Sequence, residues 1–164
     1  MERKTAYGPY EAVMLGVQLE DDGYAFYSRV AESAMDHRVK NLFSHLAEAE
    51  IEHKRVIREE IEPMFAPEWY RDEDQEMMAE YLRSVEKQPV FPAPDKAMEF
   101  ARSMKDAHRA IDIGILAEER ARDYFAFLRD ATQDKDGKAA FHRLHLEEIK
   151  HLELLQNLRK ELEV

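Results

Sequence analysis

Shifted by 98 residues against itself, the chain aligns with its own second half without a gap. Glu20 falls on Glu118, Glu50 on Glu148 and His53 on His151. Gly16 falls on Gly114, Asp36 on Asp134, Phe43 on Phe141, Leu46 on Leu144 and Ile51 on Ile149. The aromatic pair Phe26-Tyr27 falls on Tyr124-Phe125. The copies cover roughly residues 10–62 and 108–160 of a single domain spanning 1–164. A repeat of this kind fixes the fold more tightly than any local motif, because whatever the first half forms the second forms again.

What each copy forms follows from its periodicity. Residues 10 to 35 carry Val13, Val17, Tyr24, Tyr27 and Val30 at mostly helical spacing, with Pro9 near the start. "MDHRV" breaks the pattern, and Asp36 suits an N-cap. A second helix runs from about 37 to 62 through Val39, Phe43, Leu46 and Val56, and Pro63 ends it. The second copy repeats this arrangement: a helix from near Asp95, bent near 105, runs to about 131. A final helix is capped by Asp134 or Asp136 and reaches about 162. Between the copies, "PMFAPEWY" and "KQPVFPAP" are proline-broken linkers. Met77, Met78, Tyr81, Leu82 and Val85 predict a short helix between them, with an apolar face for the bundle or for a dimer contact. The expected fold is all-α: two antiparallel hairpins joined by a long crossover, which is ferritin-like rather than simple up-and-down connectivity.

The helical rise turns the repeat into a site. From Glu20 to Asp36 is roughly 24 Å of helix and from Asp36 back to Glu50 roughly 21 Å, at about 1.5 Å per residue. Glu20 and Glu50 therefore return to nearly the same height. His53 lies one turn from Glu50 on the same face. Glu-x-x-His alone is common in a Glu-rich chain, but here it recurs in register as "EAEIEH" and "LEEIKH". Packed about a pseudo-twofold axis, the hairpins bring Glu20, Glu50, His53, Glu118, Glu148 and His151 into one mid-bundle layer. Four carboxylates in a core need compensation. Two divalent cations neutralise them, with imidazoles completing the donor set; such donors suit Fe or Mn.

Composition removes the competing classes. The net charge of −11 argues against nucleic acid and against anionic membranes. No Cys is present, so disulfides, thiol catalysis and thiolate metal sites are excluded. Nothing in "MERKTAYGPYEAV" reads as a signal peptide and no apolar run is long enough to span a bilayer, which makes cytoplasm the expected location.

With "LEDDGYAFY", "EAEIEH", "AEERARDYF" and "LEEIKH" in register, the chain resembles the ferritin-like superfamily, and within it the rubrerythrin-like proteins, over nearly its whole length. The resemblance implies a di-iron carboxylate oxidoreductase, with two Fe ions (Mn or mixed metal as variants) reacting with hydrogen peroxide or dioxygen, in a homodimer. It implies that Glu50 and Glu148 bridge the metals, that Glu20 and Glu118 are terminal or chelating, and that His53 and His151 each cap one metal. Many rubrerythrins carry a rubredoxin domain. This sequence has no Cys for one, so an electron-donor protein is expected as partner. Peroxidase rubrerythrins also place a further Glu one turn beyond the third-helix Glu. That place here is Ala121, matched by Gly23 in the first copy, so the metal site is expected intact without that residue. The alternatives are a ferroxidase or iron-handling protein, and a non-catalytic, metal-stabilised helical interaction module.

Several residues near the constellation have two readings. Gly16, Gly23 and Gly114 each cost a helix about 1 kcal/mol relative to Ala, and serve either close packing or a path for an exogenous ligand. Tyr24, Tyr27 and Tyr124 are core aromatics or hydrogen-bond donors to the site. His37, His45, His108, His142 and His145 are expected at the surface or behind the ligands, and Glu52, Glu119 and Glu147 in solvent.

Overall fold

The computed structural model describes residues 9–64, 75–92 and 104–163. Helix α1 spans Pro9–Ser33 and α2 spans His37–Val56. The Asp36 carboxylate between them accepts from the Arg38 backbone N–H, the cap expected of it. Past Val56 the coil widens into a π turn over Ile57–Ile61 and tightens into a 3-10 turn over Glu62–Met64. The helical path therefore extends as far as the sequence suggests but leaves α geometry early. Pro63 sits in that last turn.

A short helix, α3 (Gln75–Glu86), lies in the crossover. Helix α4 is Met104–Ala131 and α5 is Lys135–Glu161. Asp134, rather than Asp136, caps α5, accepting from the Gly137 backbone N–H. The expected helix start at Asp95 lies outside the described residues.

Helix α1 packs along α2 and α4 along α5, and the hairpins meet through α1–α4 and α2–α5. Two apolar clusters fill the bundle. One holds Val13, Val17, Ile57, Phe125, Phe141 and Leu144. The other holds Phe26, Val30, Phe43, Leu46, Ile111 and Leu155. Met78 and Leu82 of α3 are buried in the first cluster, so most of the apolar stripe of the crossover helix closes one end of the bundle; Met77 is exposed. The sequence numbers show what lies between the clusters: every long helix carries a member of the polar constellation there.

Candidate metal centre

Glu20, Glu50, His53, Glu118, Glu148 and His151 are all buried, and with Thr132 they are the buried polar residues among those described. Each is placed by one long helix: Glu20 by α1, Glu50 and His53 by α2, Glu118 by α4, Glu148 and His151 by α5. The mid-bundle layer read from the repeat is therefore formed.

Its geometry centres on Glu148. Glu148 Oε1 lies 3.0 Å from His53 Nδ1, and Glu148 Oε2 lies 3.3 Å from His151 Nδ1. One carboxylate thus spans both histidines, whose rings stack with centroids 5.3 Å apart. His53 Nδ1 is also 3.3 Å from Glu20 Oε2 and 3.6 Å from Glu50 Oε2. His151 Nδ1 is 3.7 Å from Glu118 Oε2. The Tyr27 hydroxyl donates to Glu118 Oε1 at 2.6 Å, one of the roles open to Tyr27 in the sequence. Its repeat equivalent, Phe125, has no hydroxyl to offer Glu20.

These close approaches lack hydrogen-bond geometry. His53 Nδ1, His151 Nδ1, Glu118 Oε2 and both oxygens of Glu148 are buried without a hydrogen-bond partner. A dry core does not leave such atoms unmatched without a reason. Their donor atoms form two overlapping groups, Glu20–Glu50–His53–Glu148 and His53–Glu148–His151, each within 4.8 Å. Glu118 joins the second through His151 and Glu148. Buried carboxylates and imidazoles without thiolate are the donor set of Fe or Mn rather than of softer metals. The residues fit a cation-binding role.

The electrostatics agree. Burial, with the charge and close approach of Glu20, pushes the Glu50 carboxyl well above its ordinary value. Burial and the Glu148 charge do the same to Glu118. Burial raises Glu20 as well, partly offset by Glu50 and His53. Burial opposes charge on Glu148 too, but the nearby His53 charge and the approach of both histidines outweigh it and hold this carboxyl below its usual range. Burial would lower the histidines. Instead Glu118 and Glu148 push His151 up to about 10, and Glu148, Glu20 and Glu50 raise His53 well above normal. Burial and Glu118 keep the Tyr27 proton in place. Protons here occupy charges that cations would otherwise balance.

The glycines do not open a path. A Cβ at Gly16 would meet Tyr124 and Ile57 at 3.5 and 3.6 Å. One at Gly114 would meet Leu155 at 3.2 Å. At Gly23 it would lie 2.8 Å from Glu50 Oε1, so the missing side chain makes room for a site carboxylate. Tyr124 is core, its hydroxyl donating to the Ala12 carbonyl, and Tyr24 is exposed. Among the other histidines, exposed His45 stands edge-on to His151 with centroids 6.2 Å apart. His37 and His142 are exposed, while His108 and His145 are partly buried. Glu52 is exposed, and Glu119 and Glu147 are partly so. The sequence gives no signal for Phe91 of the crossover, which packs perpendicular to Tyr27 at 5.9 Å and against Phe26 at 5.2 Å.

A helical bundle with a buried carboxylate–histidine layer across its middle defines a ferritin-like protein. The chain belongs to the rubrerythrin family, whose profile matches residues 11–159. Two solved structures share the fold. A hypothetical protein from Pyrococcus furiosus aligns with a TM-score of 0.68 at 20% identity, covering 98% of this chain and 94% of its own. A dodecameric thioferritin, the bacterioferritin-related protein of Bacteroides fragilis, aligns with a TM-score of 0.61 at 18% identity, covering 92% and 83%. No curated protein matches the sequence. None of the described helices is long and apolar enough to cross a membrane.

Proposed function

We propose that the chain is a di-iron carboxylate oxidoreductase that reduces hydrogen peroxide or dioxygen. The observation that carries this reading is the pair of overlapping donor groups sharing Glu148 and His53, in a core where these polar atoms are otherwise unmatched. Glu148 would link the two metal positions, with His53 and Glu20 on one side and His151 and Glu118 on the other. Glu50 adds a carboxylate on the His53 side. Two Fe(II) ions bound there would supply the two electrons that peroxide reduction to water consumes.

The chain's own residues set the conditions. The Tyr27 hydroxyl ties down Glu118 Oε1 and leaves Oε2 directed toward His151, fixing one ligand atom as outer hydrogen bonds do in metal sites. Apolar clusters above and below the layer exclude water. His53 and His151 must shed their protons to ligate, so loading releases protons. The family likeness supports a homodimer and an electron-donor protein as partner, since the chain has no Cys to carry a thiolate relay of its own.

The test is elemental analysis after anaerobic Fe(II) loading and desalting, beside the Glu50→Ala/His53→Ala double variant, followed by repeated peroxide turnover with a reductant. About two irons per wild-type chain, sharply reduced in the variant, and repeated cycling support the reading. Wild-type protein that retains no metal overturns it. Loading well above two irons without cycling moves the chain to iron handling.

A further inference from the structure

The Tyr27 hydroxyl reaches Glu118 Oε1 from another helix, 91 residues away in sequence, so its aim depends on what walls the ring. A phenol oxygen lies on the χ2 axis. Ring flips leave it in place, and a change of χ1 rotamer takes it off its acceptor. Three helices box the buried Tyr27 ring. Phe43 of α2 meets it edge-on at 5.6 Å and Phe26 of α1 at 5.8 Å. On α4, Gly114 leaves it room, since a Cβ there would come 3.6 Å from Tyr27 Cε1. A fourth wall is Phe91 of the crossover, perpendicular to Tyr27 at 5.9 Å. Phe91 lies between the two copies of the repeat, so the second copy has no counterpart for it.

Packing alone does not hold Phe91 there. It is only partly buried and lines a cleft of about 800 Å³ together with Leu15, Leu19, Val85 and Arg120. Three residues before it, the Gln88 carbonyl accepts from Arg120 Nη1 at 2.9 Å. Arg120 follows Glu118 by two positions on α4. Asp22, the repeat equivalent of Arg120, accepts from Gln18 within its own helix instead. Between clasp and wall the chain reads Gln88-Pro89-Val90-Phe91-Pro92. Each proline fixes its own φ and disfavours helical backbone in the residue before it. The segment is therefore stiff, and a tether at Gln88 carries to Phe91.

We infer that Phe91 is a positioning residue for the metal centre. Clasped to α4 through Arg120 and the Gln88 carbonyl, it closes the crossover side of the Tyr27 ring, keeps the phenol on Glu118 Oε1 and so leaves Oε2 for the cation. A residue of the crossover, outside the four long helices, thereby acts on a ligand it does not touch. The inference rests on the proposed metal-binding function.

A double-mutant cycle on the full chain tests this, read as Fe(II) affinity by anaerobic competition with a chromophoric chelator. Phe91→Ala should weaken binding by about fivefold to tenfold. Phe91→Leu keeps an apolar wall and should stay within about twofold of the wild type. Arg120→Met removes the clasp, keeps an apolar stem and should weaken binding about threefold. In a Tyr27→Phe background, with no phenol to aim, each of the three should change affinity by less than about twofold. Circular dichroism and melting report loss of structure separately, and Arg120→Met carries the cycle if Phe91→Ala does not fold. Equal losses with and without the Tyr27 hydroxyl overturn the inference, because Phe91 would then act as packing alone. Unchanged affinity in both Phe91→Ala and Arg120→Met overturns it too. Either result leaves the metal-binding function standing. A wild type that binds no Fe(II) overturns that function, and the positioning role with it.

Discussion

Hairpin α1–α2 and hairpin α4–α5 have the same plan inside and different details where that plan meets metal and solvent. Glu50 and Glu148 are equivalent in the repeat, yet only Glu148 reaches both histidines. Glu50 lies back over Gly23, where a Cβ would be 2.8 Å from its Oε1. The equivalent of Gly23 is Ala121. Glu148 spans both histidines, whereas Glu50 approaches His53 alone. Likewise Tyr27 donates to Glu118, while its equivalent Phe125 has no hydroxyl to offer Glu20. The lesson is that duplication conserves the height and face of a residue, and single side-chain differences between the copies then assign unequal roles.

The sharpest break in that comparison is Glu148→Ala against Glu50→Ala. If the copies were equivalent, the two variants would lose metal equally. The geometry predicts near-complete loss of iron for Glu148→Ala and roughly half of the load retained for Glu50→Ala, read by elemental analysis after anaerobic loading.

Next in size is pH. In the metal-free protein His151 titrates at about 10 in the folded state, against 6.5 for a free histidine. The folded state binds more protons across that window, so this stabilisation is complete below about 6.5 and is lost as pH rises through about 10. The raised Glu50 and Glu118 act in the same sense from 4.5 upward. The lowered Glu148 acts oppositely, contributing above 4.5 and losing its effect as pH falls toward its folded value. Melting of the metal-free protein should therefore fall from pH 6.5 to 10. Iron affinity should rise over the same range, with proton release visible in a weakly buffered titration. A melting temperature that is flat or rising would show that the histidines are not held protonated.

Tyr27→Phe should weaken metal binding about tenfold, and Phe125→Tyr offers Glu20 the phenol it lacks. A Tyr27→Phe variant with unchanged affinity would reduce Tyr27 to a core aromatic.

The smallest effects separate the paired glycines. A methyl at Gly16 meets its neighbours at ordinary contact distance, so Gly16→Ala should stabilise by up to about 1 kcal/mol through helix propensity. At Gly114 the methyl crowds Leu155 at 3.2 Å, so the gain should shrink or reverse. Thermal unfolding of the two variants side by side decides it.

The helices, their antiparallel pairing and the membership of the polar layer are legible before any packing is known. Apolar spacing names the buried face, a rise of about 1.5 Å per residue fixes height, and the repeat supplies the second hairpin. The residue pattern also marked Asp36 and Asp134 as caps. It could not set rotamers, which depend on the space left by a neighbouring helix. That Glu148 spans the histidines, that Gly23 makes room for Glu50 and that Tyr27 bonds Glu118 emerges from the packing of the four helices. Only packing showed that Phe91, distant in sequence, closes over Tyr27, and that α2 leaves α geometry at Ile57 where it meets α1 and α5. Periodicity records which face a residue occupies; the positions of its atoms within that face are settled by what packs against them.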